Sequence, residues 1–284
     1  MAKLKLQGIM PLVATPFDKD GEIYAAKVRH NVDKWNKVKL TGYGVCASTG
    51  ESCYLTTEEK VEMWSLVAES AAPDRLLVAG VAAEGVRETV SLANKAAAIG
   101  YKALLVRAPR EYAVSHDLYF ASVADQTKVP VIVDGDVDAE SLVRLSHHPN
   151  IPAVRDGSGN LGKLLRLLRE AKTGFQVLTG SAPVLWPSLH VGASGAMLAF
   201  ASAAPYACIT IWEAFRTREQ EAALDWQNRI GTPATLVTSK HGIPGLKHAM
   251  DLNGYYGGPC RLPLRPLAPD AKREIEAAFE NLRG

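Results

Sequence analysis

Eight short apolar runs, each followed by a polar or amphipathic stretch, limit what this 284-residue chain can become. They are Gly8–Phe17, Gly42–Thr49, Leu76–Val81, Ala103–Ala108, Pro130–Asp134, Pro152–Arg155, Phe175–Thr179 and Gly195–Phe200. The runs are continuous rather than alternating, the pattern of strands covered on both faces. Between them lie the amphipathic segments Thr57–Ala72, Arg87–Ile99, Ser115–Thr127 and Leu161–Ala171, with helical spacing. A strand–helix unit repeated eight times predicts a closed (β/α)8 TIM barrel over a doubly wound open sheet.

Two places depart from the rhythm. Gly135–His148 is short, so its helix is small. Ala203–Gly284 is too long for one helix, and its breaks near Arg218, Gly231–Thr232 and Asn253–Pro266 predict three or more added helices. The expected organisation is a barrel over residues 1–202. Residues 203–284 complete it and extend it as a helical appendage of the same structural unit.

Composition narrows the function. A net charge of +2 without a basic run gives no footprint for nucleic acid or an anionic membrane. No apolar stretch reaches the ~20 residues of a membrane span, and Met1–Leu6 lacks a signal-peptide core, so a cytoplasmic protein is expected. Cys46, Cys53, Cys208 and Cys260 are scattered, as reduced thiols are, and the histidines have no ligand spacing, so neither metal nor cofactor is expected.

Barrel enzymes keep their sites at the carboxyl ends of the strands. Here those ends offer Ser48 and Thr49, Arg107 and Arg110, Asp134, Arg155, Gly180 and Met197. Guanidinium forks, hydroxyls and turn amides are donors suited to a carboxylate or phosphate. Asp134 and Arg155 end neighbouring strands, so an ion pair between them is expected. Gly157–Lys163 fits the spacing of a phosphate loop, but Leu164 stands where that loop needs Ser or Thr.

Several stretches look like successive landmarks of the dihydrodipicolinate synthase / N-acetylneuraminate lyase family. They are "GIMPLVATPF", "GVCASTGESCYLTTEEK", "VPVIV", "PNIPAVRDGSGN", "GASGAMLAFAS" and "GIPGLKHAM". The resemblance spans essentially the whole chain. It implies a barrel with a helical C-terminal extension, assembled as homodimers or homotetramers, and a small carboxylic acid as ligand. It also implies that Ser48 and Thr49 form the carboxylate-holding turn. Family members join a strand-six lysine to a 2-oxo acid as a Schiff base, and a strand-five tyrosine shuttles protons. On that pattern the lysine falls on Arg155 and the tyrosine on Asp134, while the paired tyrosines after strand four fall on Pro109 and Arg110. Arginine stays protonated and cannot form an iminium.

The expectation is therefore a lyase- or aldolase-type enzyme acting on a small 2-oxo or hydroxy carboxylic acid without the usual Schiff base. Arg155 and Asp134 would be catalytic, and Ser48, Thr49, Arg107, Arg110, Gly180 and Met197 would bind substrate. Two alternatives stay open: a catalytically silent member that binds an acidic metabolite or serves structurally, and a Schiff-base aldolase with a relocated lysine such as Lys240.

Overall fold

The structure, a computed structural model, describes residues 4–110 and 115–282; residues 1–3 of the amino-terminal segment lie outside them. Among the described residues eight parallel strands alternate with helices. The strands are β1 (Gly8–Pro11), β2 (Gly42–Val45), β3 (Leu76–Val81), β4 (Ala103–Arg107), β5 (Val131–Asp134), β6 (Ala153–Asp156), β7 (Gln176–Thr179) and β8 (Gly195–Leu198). The helices are α1 (Ala25–Asn36), α2 (Thr57–Ser70), α3 (Val86–Ile99), α4 (His116–Asp125), α5 (Ala139–Leu145), α6 (Leu161–Glu170), α7 (Leu185–His190) and α8 (Pro205–Thr217). They continue as α9 (Gln220–Thr235), α10 (Gly242–Leu252) and α11 (Pro269–Phe279). This is a (β/α)8 TIM barrel with further helices at its carboxyl end.

Ladders join β2 through β8 in order and then β8 to β1. Between β1 and β2 there is one bridge, Leu12 with Gly44. Backbone bonds from Thr41 N to Ile9 O (3.0 Å) and from Val13 N to Gly44 O (2.8 Å) complete the ring.

Period-two alternation sorts the strand residues. Met10, Leu12, Val78, Leu105, Ile132, Ala153, Leu178 and Met197 form an inner cluster. Ile9, Val13, Ala79, Val106, Val133, Val154 and Val177 join the larger cluster that carries the helices. Full burial of each large inner side chain contributes about 1.5–3 kcal/mol. Two residues beyond Leu105, Ile132 and Ala153 on the same face stand Arg107, Asp134 and Arg155, and Arg107–Asp134 and Asp134–Arg155 are register partners. The apolar plug thus ends in a charged layer at the mouth.

Three strands are shorter than the apolar runs predict by two residues or more. In β2 the cause is local: Cys46 has φ of 60°, outside the strand region. Ser48–Gly50 then coils into a 3-10 turn. The ends of the first and eighth runs are also irregular, with Phe200–Ser202 forming a 3-10 turn. The expected break at Gly231–Thr232 is absent, because α9 runs through Pro233. There the Thr235 hydroxyl donates to Gly231 O (2.9 Å) and the Thr238 hydroxyl to Ala234 O (2.7 Å). The helix widens into a π-turn over Leu236–Lys240, closed by His241 N–H to Leu236 O at 2.8 Å.

Candidate functional site

Arg155 occupies the centre of the mouth. Its Nε–H donates to Met197 O (2.9 Å), Nη1 to Asp134 Oδ1 (2.8 Å) and Nη2 to Gly180 O (3.4 Å). One side chain on β6 thereby ties together β5, β7 and β8. Gly180 makes this possible: a Cβ there would lie 2.7 Å from Arg155 Cζ, closer than carbon atoms approach. Three of the five guanidinium N–H groups are used, leaving two for a ligand. The ion pair expected between Asp134 and Arg155 is present, with side chains 8% and 11% exposed. Asp134 Oδ1 is committed to Arg155, and no described donor is bonded to Oδ2.

Ser48 and Thr49 sit in the turn after β2 and face this guanidinium across a cavity of about 310 Å³. The turn is braced from below. The Thr15 hydroxyl donates to Gly50 O (2.6 Å), and a Cβ at Gly50 would lie 2.9 Å from Val13 O. Glu51 follows in the left-handed region (φ 57°), a conformation that costs a non-glycine residue about 1 kcal/mol or more. Its side chain anchors that backbone. Glu51 Oε1 lies 2.6 Å from Lys247 Nζ, and both side chains are almost wholly buried. The approach is off the hydrogen-bond line, so the contact is ionic rather than a directed bond. Lys247 also donates to Pro259 O (2.7 Å) and stands 4.6 Å from the Phe17 ring centre. Glu51 Oε2 accepts the Arg261 backbone N–H at 2.9 Å. Arg261 in turn pairs with Glu59, whose carboxyl is held below its usual range chiefly by that guanidinium.

A second cavity of about 290 Å³ shares Ser48, Arg155 and Gly157 with the first and is lined further by Arg107, Arg110, Asp134 and Lys163. Arg107 Nε is sealed from solvent without a hydrogen-bond partner. Arg110 is exposed, with its backbone N–H bonded to Glu84 Oε2 at 2.7 Å. Lys163, on α6, also lines this cavity, a position that helical spacing in the sequence does not reveal. Asn160 caps α6 by accepting the Lys163 backbone N–H (3.0 Å), which places Lys163 in the first turn of the helix. Its Nζ reaches Asp156 Oδ1 at 3.0 Å, while Ser158 donates to Asp156 Oδ2 at 2.7 Å. The glycine-rich turn is thus satisfied from within.

The structure brings Ser48, Thr49, Arg107, Arg110, Asp134, Arg155 and Gly180 to the two cavities. Met197 differs: its side chain packs in the inner cluster and only its carbonyl reaches Arg155. Lys240 pairs with Glu274 and is not among the residues lining either cavity. Val237, Thr238, Ser239 and Leu246, from the π-turn and α10, wall the first cavity. Among the described residues no cluster of three or more His, Cys, Asp or Glu is arranged to hold a metal, and no helix is long and apolar enough to cross a membrane.

The sequence matches the dihydrodipicolinate synthetase family over residues 5–282. It is 29% identical to a 4-hydroxy-tetrahydrodipicolinate synthase of Chlorobium phaeobacteroides strain BS1, covering 99% of each chain. It is 30% identical to an L-threo-3-deoxy-hexylosonate aldolase of Hypocrea jecorina, over 97% of this chain and 95% of that one. The fold superimposes on the crystal structure of a dihydrodipicolinate synthase from Bacillus anthracis with a TM-score of 0.90 at 24% identity, covering 98% of this chain and 99% of that one.

Proposed function

The chain belongs to the dihydrodipicolinate synthetase family, and on that premise we propose a lyase- or aldolase-type enzyme for a small 2-oxo or hydroxy carboxylic acid that works without a Schiff base. The observation that supports this reading is the guanidinium of Arg155, fixed by three protein acceptors and facing Ser48 and Thr49 across one cavity. Ser48 and Thr49, with their turn amides, hold the substrate carboxylate. The two remaining N–H groups of Arg155 receive the 2-oxo oxygen. When the bond between C3 and C4 breaks, its electron pair moves through C2 onto that oxygen, and the C4 hydroxyl proton passes to Asp134 Oδ2. An aldehyde leaves, and the enolate is held by a charge that need not reorganise, the largest kind of term in such catalysis. Asp134 then returns the proton to C3, so that a 2-oxo acid is released and the carboxylate is restored.

The decisive test is borohydride reduction after incubation with pyruvate and other 2-oxo acids, followed by intact mass. No covalent adduct is expected. An adduct would refute the non-covalent scheme, and its mapped position would name the amine. In parallel, thermal-shift screening of small carboxylates should find stabilising ligands, and Arg155→Ala should abolish the stabilisation. A protein that no carboxylate stabilises would favour the silent, structural alternative.

A further inference from the structure

We infer that the substrate carries a second anionic group, a carboxylate or a phosphate monoester at the end remote from its first carboxylate, and that Arg107, Arg110 and Lys163 receive it. This rests on the reading above and adds the class of substrate to it. The two cavities share the Arg155 wall, yet their chemistry differs. The first is neutral apart from Arg155, with Thr49, Ser181, Val237 and Leu246 among its lining. The second has four cations, Arg107, Arg110, Arg155 and Lys163, against two carboxylates, Asp134 and Asp136.

The pairing of those charges leaves cation in excess. Asp134 is taken by Arg155, and Lys163 by Asp156, which lies behind the lining. Neither Arg107 nor Arg110 has a side-chain ion pair among the described residues, and both line the cavity. A polar cation turned into a cavity without an acceptor is costly when water is displaced by a neutral group, and favourable when it is displaced by an anion. Guanidinium forks match planar carboxylate and phosphate oxygens two at a time, which a neutral hydroxyl cannot exploit. A ligand anchored by its first carboxylate at Ser48 and Thr49 crosses Arg155 to reach the cationic lobe, because Ser48, Arg155 and Gly157 line both cavities. The lobe thus measures the far end of the molecule while the first cavity holds the reacting end.

The test is calorimetric binding to the full chain with two matched pairs of probes. One is 2-oxopentanedioate against 2-oxopentanoate, which differ by the second carboxylate; the other is 3-phosphoglycerate against glycerate. In at least one pair the doubly charged probe should bind about 10- to 100-fold more tightly, the gain of one or two charge-assisted hydrogen bonds. Arg107→Gln combined with Arg110→Gln should erase that margin, the doubly charged probe losing affinity until it binds no more tightly than the singly charged one. The pair that shows the margin identifies carboxylate or phosphate as the second group. Equal binding within both pairs, or a margin that survives the double substitution, overturns the inference while leaving the proposed function standing. If no probe in either pair binds, both fall.

Discussion

Replacing Glu51 by Gln isolates one of the most deeply buried charges in the molecule. Lys247 is 1% exposed and Glu51 0%, so solvent cannot take over from the lost carboxylate. Removing one partner of a buried pair costs about 3–5 kcal/mol, because the survivor stays desolvated. The lower end applies here. Lys247 keeps Pro259 O at 2.7 Å and the Phe17 ring at 4.6 Å, and a glutamine carbonyl can still accept the Arg261 N–H. A loss of about 3 kcal/mol is therefore expected, a large share of the 5–15 kcal/mol typical of a folded domain. Guanidinium chloride denaturation followed by tryptophan fluorescence should show the midpoint falling with little change in slope. The double change Glu51→Gln with Lys247→Met should recover at least half the loss, since it removes the stranded charge. A single-variant cost below about 1 kcal/mol, as for an exposed pair, would refute the reasoning. So would a double variant as unstable as the sum of its parts.

Three further outcomes follow. Gly180→Ala should drive the Arg155 guanidinium off its acceptors, since the new Cβ would lie 2.7 Å from Cζ; carboxylate binding by calorimetry should fall at least about tenfold while circular dichroism stays native. The folded-state pKa of Glu59 is lowered, first by its bond to Arg261, so its stability contribution is present above the unfolded carboxylate pKa and lost as pH falls through the lower folded value. Wild-type stability should accordingly decline below about pH 4.5, and Glu59→Gln should flatten that acid limb in pH-dependent denaturation. Iodoacetamide at pH 8 should label exposed Cys53 well before Cys260, whose thiol is pushed up to about 11 by burial, and should spare buried Cys46 and Cys208; peptide mapping that finds Cys260 first would contradict this.

The barrel was legible because eight continuous apolar runs leave few other ways to hide both faces of a strand. Strand ends were less so, since buried turn and buried strand have the same hydrophobicity: nothing in the letters announces that Cys46 takes a positive φ. The Gly231–Thr232 pair resembled a stop, yet α9 runs through it and passes into a π-turn. At the site, Arg155, Asp134, Ser48 and Thr49 could be located by counting to the strand ends. Lys163 could not, because helical spacing does not reveal that a residue in the first turn of α6 pairs with Asp156 and lines the cavity. The Glu51–Lys247 pair was equally silent, as it joins distant parts of the chain and neither residue looks buried by type. Met197 presents its carbonyl at the strand end while its side chain points down into the plug, a difference that counting along the strand does not reveal.

The β1–β2 junction makes this ring an arc with a latch. Every other neighbouring pair of strands shares a ladder, whereas here one bridge and the bonds from Thr41 and Val13 span the gap. Thr15 fastens one side of the latch to Gly50 on the other, and Lys247 bolts Glu51 from the outside. The turn that carries Ser48 and Thr49 therefore doubles as the clasp of the barrel. A molecule seated there would add contacts across the junction that one bridge and two backbone bonds span, and an opened clasp would have nothing left with which to hold it.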